Sequence, residues 1–188
     1  MLPLSFRSFS GLWVLLLIAQ SCNSARKWDY EPMSITGHSS DESMLKIEPK
    51  IDRIKRGEFA ISATIYFNYL LDDKVMVEAL CYRSSTGQES DYKLTPFNIP
   101  KQPYEEFLNT HYKDMVIKNL GNCSNLPQFK DKFVPPWPQK TYKLENCVAD
   151  SDGFPEVLPL GFYKIMLTFT GHVDWGLTII TKLTNKLM

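Results

Sequence analysis

The sequence is poor in the residues on which many enzymes and metal centres rely. Its 188 residues include three histidines and four cysteines. His38, His111 and His172 stand far apart, and no cysteine has a second one at zinc-binding spacing. There is no G-x-S-x-G elbow, no phosphate-binding glycine loop and no H-E-x-x-H pair. These absences leave no catalytic motif, metal site or cofactor site to build on, so the chain reads as non-enzymatic. Asp150 and Asp152 come nearest to a pair of acids, but beside Gly153 they read as turn formers.

Charge of one sign is missing too. The 21 basic and 21 acidic side chains balance, so no long-range field favours nucleic acid as a partner. One local basic cluster, "KIDRIKR" at residues 50–56, reads as a solvated edge; contact with lipid head groups is the alternative. Long hydrophobic runs are confined to the N-terminus. Arg7, the run "GLWVLLLIA" at residues 11–19 and then small polar residues follow the order of a secretory signal peptide. The run falls short of the about 20 residues that span a bilayer. Residues 1–24 are therefore expected to be a signal peptide, with an uncleaved anchor as the alternative. Residues 25–188 are expected to form one secreted, soluble domain. Cleavage after Ser24 leaves Cys81, Cys123 and Cys147, whereas cleavage after Ser21 retains Cys22. An odd count in an oxidising compartment predicts one disulfide and one thiol.

What the sequence does have is alternation. In "GEFAISATIYFNY" the residues Phe59, Ile61, Ala63, Ile65 and Phe67 share one parity, the period of a half-buried antiparallel strand. "LDDK" makes a turn, and "KVMVEALCYR" returns with Val75, Val77, Ala79 and Cys81 on one face. That parity favours a buried thiol at Cys81. Near the C-terminus, "GFYKIMLTFT" puts Tyr163, Ile165, Leu167 and Phe169 on one face, and "DWGLTIITKL" does the same for Trp175, Leu177 and Ile179. The short link "GHVD" predicts a hairpin. "KWDYEP" reads as a first edge strand, and the polar "SITGHSSDES" at residues 34–43 reads as a loop.

Between these strands the period changes. Tyr104, Phe107, Leu108, Tyr112, Met115, Val116 and Leu120 recur at spacings of three and four, the stripe of an amphipathic helix. Pro103 suits its start and Gly121 its end. Beyond it, Asn122–Cys123–Ser124 forms a glycosylation sequon. If Cys123 is bonded, the Asn122 acceptor must react before or despite that bond. The bend "PPWPQ" then leads into an alternating run ending at Cys147. The sum is a mainly β fold, an antiparallel sandwich or open cup with one helix. Phe97, Trp137, Phe154, Leu158, Leu160 and Phe162 lie in or beside loops. Such residues either cap the ends of the sandwich or surround the mouth of an apolar cavity.

The stretches "RGEFAISATIYFNYLLDD", "YRSSTGQESDYKLTPFNIP", "EEFLNTHYKDMVIKNLGNCSNLP", "VPPWPQKTYKLENC" and "DGFPEVLPLGFYKIMLTFTGHVDWG" together resemble the CheB family of insect chemosensory proteins. The run L-P-x-G-x-Y-x-I from Leu158 and the run P-x-x-x-x-T-Y-x-L from Pro136 are similar to the ganglioside-activator lipid-transfer protein. The resemblance implies a secreted β-cup with a hydrophobic lumen, acting in gustatory detection of cuticular-hydrocarbon pheromones or similar lipids. A sensory-neuron membrane receptor or channel is the implied partner. With fewer cysteines than the activator, the cup is expected to be held by one bond, Cys123 to Cys147, with Cys81 free. The expected lumen comprises Phe59, Ile61, Ile65, Phe67, Leu167, Phe169, Trp175 and Ile179. Trp137, fixed by Pro135, Pro136 and Pro138 at a sheet edge, is expected near the entrance.

Overall fold

The computed structural model describes residues 27–148 and 154–186. The N-terminal segment read as a signal and the turn at Asp150 and Asp152 lie outside them. The strands are β1 (Trp28–Ser39), β2 (Leu45–Lys55), β3 (Glu58–Phe67), β4 (Met76–Ser84), β5 (Lys93–Leu94), β6 (Ile99–Pro103), β7 (Lys140–Cys147), β8 (Gly161–Thr170) and β9 (Trp175–Asn185). A large sheet runs β1-β9-β8-β4-β5, with β6 also on β4, and a small sheet runs β2-β3-β7. Every pairing is antiparallel. The expected class, a mainly β sandwich or cup with one helix, is the one observed.

Two expectations need correcting. Residues 34–39, read as polar loop, continue β1, with Ile35 opposite Ile179 and Gly37 opposite Leu177. Pairing along β9 supplies the backbone partners, and this tertiary gain outweighs the weak strand propensity of Ser, Gly and His. Only the turn around Asp41 remains, where the carboxylate accepts from Ser43 N at 2.9 Å. Second, β3 and β4 are not hairpin partners, because they lie in different sheets. "LDDK" is indeed a turn, with Lys74 N donating to Asp72 Oδ1 at 3.0 Å, but it carries the chain from one layer to the other.

The helix, α1, spans residues 104 to 120. It is α-helical over Tyr104–Phe107, π-wound over Leu108–Ile117 and α-helical again over Lys118–Leu120. Its apolar positions Tyr104, Leu108, Tyr112, Val116 and Leu120 recur every fourth residue, slower than the roughly 3.6 of an α-helix. The wider i→i+5 winding keeps such a stripe facing one surface. Asn109 Nδ2 and Thr110 Oγ1 donate to the carbonyls of Glu105 and Glu106, each at 2.7 Å. They supply partners for carbonyls where the winding widens. The helix begins against β4, with Tyr104 N donating to Val75 O at 3.0 Å. It ends beside β7, where Ser124 bridges Leu144 and Cys123 is bonded to Cys147, with the Cα atoms 5.4 Å apart. The helix thus closes one side of the sandwich. On the other side β1 meets β2, so closely that a Cβ on Gly37 would lie 2.8 Å from Ile47 Cβ.

Candidate functional site

One end of the sandwich is sealed by aromatic rings. Phe169 and Trp175 stack at 3.8 Å, Phe67 of the small sheet meets Trp175 edge-on, and Trp175 Nε1 donates to Tyr69 OH at 2.8 Å. Burial pushes the Tyr69 phenol up to about 12. Phe107, Leu108 and Tyr112 of the helix and Phe133 and Trp137 of the following loop complete this buried cluster. Trp137 is 8% exposed. It is a core residue under the helix, and its expected position at an entrance is not where the structure puts it. The prolines do lead into an edge strand, β7, but the ring turns inward, against Tyr142 and Phe133.

The middle of the sandwich differs. On the large sheet one row runs Ile35–Ile179–Ile165–Cys81, and the next Gly37–Leu177–Leu167–Ala79. On the small sheet, Ile47 stands opposite Ile65, and Ile51 opposite Ile61. These side chains share the parity of Phe169, Trp175 and Phe67, so they face the space between the sheets. In a dry sandwich the inner faces interdigitate and are buried. Here Ile35, Ile47, Ile61, Ile65, Ile165 and Ile179 all remain partly exposed, although β3, β8 and β9 are interior strands of their sheets. Beyond the aromatic cluster these inward-facing aliphatic side chains are therefore less completely covered than those of a dry sandwich. Burial pushes the Cys81 thiol upward, with a Thr95 hydrogen bond acting the other way, and the group stays neutral beside these aliphatic rows.

At the far end only the large sheet has a core of its own, Trp28, Tyr163 and Leu183. The loop before β8 straps across it: Trp28 Nε1 donates to Pro155 O at 2.9 Å and Tyr163 OH to Pro159 O at 2.7 Å. No residue of the small sheet joins this cluster. The β2–β3 hairpin instead projects with Ile54 50% exposed among exposed Arg53, Lys55 and Arg56. Phe154, Val157 and Leu160 of the strap are exposed as well. A concavity of about 270 Å³ lies here, lined by Asp29, Tyr30, Glu31, Arg53, Gly57, Phe59 and Thr184. A second, of about 320 Å³, lies on the outer face of the small sheet between Glu48, Lys50, Thr64, Lys143 and Asn146. Its polar groups are engaged with one another. Ser62 Oγ donates to Asp52 Oδ2 at 2.5 Å and accepts from Asn146 N at 2.9 Å, and Lys50 pairs with Asp52 at 2.9 Å.

Of the residues singled out from sequence, Ile61, Ile65, Leu167 and Ile179 share the inward parity and are partly exposed. Phe59 lines the concavity beside Arg53 and Gly57, and Phe67, Phe169 and Trp175 belong to the aromatic cluster. Sequence reasoning missed Ile35, Ile47 and Ile51. Leu45, Ile47, Pro49 and Ile51 do alternate with charged residues, and that period of two was obscured by the basic cluster. The expected disulfide is present and Cys81 is free, but the thiol expected to be buried is only partly so, because it stands among the incompletely covered aliphatic rows. Asn122 is exposed. Among the described residues there is no group of three His, Cys, Asp or Glu side chains that could hold a metal, and no helix long and apolar enough to cross a membrane.

The fold is an antiparallel two-sheet sandwich or cup with one helix. Residues 77–165 match the model of a family described as a protein of unknown function, DUF1091. The match runs from β4 through the helix, the disulfide and β7 into β8. A comparison with curated proteins returned no match.

Proposed function

We propose that the protein is an extracellular binding protein for apolar chemosensory ligands, long-chain hydrocarbons or similar lipids. The ligand lies between the sheets, against their partly exposed aliphatic side chains, and is held without being chemically changed. The observation that carries this reading is the partial exposure of the mid-strand isoleucines Ile35, Ile61, Ile165 and Ile179. A long hydrocarbon gains about 0.8 kcal/mol for each methylene it moves out of water, and covering these side chains adds their own burial. The resemblance to the CheB family supports a role in gustatory response to pheromone, with a sensory-neuron receptor or channel receiving the loaded protein.

Titration with a fluorescent long-chain probe tests the proposal. Wild type should bind saturably. Ile165→Asn, which places an amide without partners against the chain, should bind roughly tenfold or more weakly, given a cost of about 1–3 kcal/mol for burying such a group. Because Ile165 is only partly exposed, the variant should also lose stability, so thermal melts of both proteins accompany the titration and affinity is compared on the folded fraction. Absence of saturable binding by the wild type to any long-chain apolar probe would defeat the reading.

A second reading, an accessory factor that presents lipid to a membrane receptor or an enzyme, is favoured by the far end itself. Exposed Ile54, Val157 and Leu160 stand there with Arg53, Lys55 and Arg56, an apolar and basic mixture suited to lipid head groups. Cosedimentation with anionic vesicles, lost in Ile54→Asp, would favour this second reading.

A further inference from the structure

We propose that Asn122 is an N-glycosylation site that is open only until the Cys123–Cys147 bond closes, so that the two reactions compete for one stretch of chain. In the folded protein the sequon is locked. Gly121–Cys123 forms a 3₁₀ turn, and Gly121 O accepts from Gln128 Nε2 at 2.7 Å. Ser124, whose hydroxyl completes the sequon, donates from Oγ to Leu120 O at 2.6 Å and accepts from Leu126 N at 3.4 Å. Ser124 also pairs with Leu144 of β7, and the residue between acceptor and hydroxyl, Cys123, is disulfide-bonded. A transferase that must take up the three residues in extended form and engage the hydroxyl cannot do so without breaking these contacts. Asn122 itself is exposed, so a glycan attached earlier stands in solvent and is compatible with the finished fold.

The reaction is a group transfer. The Asn122 amide nitrogen loses one proton and bonds to the reducing-end carbon of a lipid-linked oligosaccharide. That carbon's bond to the pyrophosphate oxygen breaks, and the lipid pyrophosphate leaves. Cys147 follows Cys123 by 24 residues. At a synthesis rate of about 5–20 residues per second, it arrives roughly 1–5 s later. Glycosylation has that head start and must then outrun closure. This inference is independent of what ligand the protein binds.

The test is to make the full chain in a eukaryotic secretory host and measure occupancy at Asn122. Total cellular and secreted protein are both read by peptide mass spectrometry, after enzymatic deglycosylation in heavy-oxygen water. Wild type should be partly occupied, and Cys147→Ser, which leaves the sequon intact, should be occupied at least twofold more. Ser124→Ala should be unoccupied. Transfer precedes folding, so the reading holds even if Cys147→Ser is retained in the cell. A reductant added during synthesis should raise wild-type occupancy in the same direction. Equal occupancy in wild type and Cys147→Ser, or none in either, would overturn the proposal.

Discussion

The ring of Trp137 lies 5.4 Å from that of Tyr112 and 5.9 Å from those of Phe133 and Tyr142. Tyr112 is itself tied down, its hydroxyl donating to Pro127 O at 2.8 Å. Removing the indole would open a cavity in a cluster that joins helix, loop and edge strand. Trp137→Ala should therefore lower stability by about 3–5 kcal/mol while leaving the probe affinity of the folded fraction unchanged. Paired denaturant melts and probe titrations check this. A fall in affinity with unchanged stability would return Trp137 to the mouth of the cup.

At the scale of elements, the helix is anchored at both ends by different means. Its start uses a backbone bond to Val75, and its end the disulfide to β7. The bond closes a loop across a separation of 24 residues, for which chain entropy gives roughly 3 kcal/mol. Reduction should lower the unfolding free energy by that order, read from denaturant melts of the oxidised and reduced forms. It should also raise amide exchange in residues 118–124 and in β7 more than in β8 and β9, which pair with each other along their whole length. Hydrogen exchange of the reduced and oxidised forms separates the two regions. Uniform loss of protection would show that the bond does not act locally.

For the whole molecule, the aromatic end carries a pH dependence of definite sign. Burial raises the phenols of Tyr69 and Tyr142 to about 12, with hydrogen bonds from Trp175 and Trp137 opposing the shift. An unfolded tyrosine ionises near about 10. Between these values the unfolded chain loses protons that the native state keeps, so stability is fully present below about pH 10 and is lost as pH rises toward about 12. The melting temperature should be flat in alkali up to that point and then fall. The tyrosinate absorbance of these residues should appear only with unfolding. Early, reversible ionisation without loss of structure would count against a sealed aromatic cluster.

The sequence by itself determined the strands whose two faces differ in polarity. Phe59 to Phe67, Tyr163 to Phe169 and Trp175 to Ile179 carry their larger apolar residues on one parity, and a slip of one residue would turn that face outward. It also determined the helix, from the change of period at Tyr104, and, through the parity of Cys81, which of Cys81, Cys123 and Cys147 stays free. Tertiary structure decided the rest. Residues 34–39 are strand only because β9 lies alongside to complete their hydrogen bonds, and β3 parts from β4 because the helix and the aromatic cluster hold two layers rather than one. Trp137 faces inward because Tyr112 of the helix and Tyr142 of β7, each on another element, leave a space of its shape. Alternation identifies which side chains face the interior. Whether that interior is filled by protein or left incompletely covered depends on the separation of two sheets, a quantity set by contacts between residues far apart in the chain.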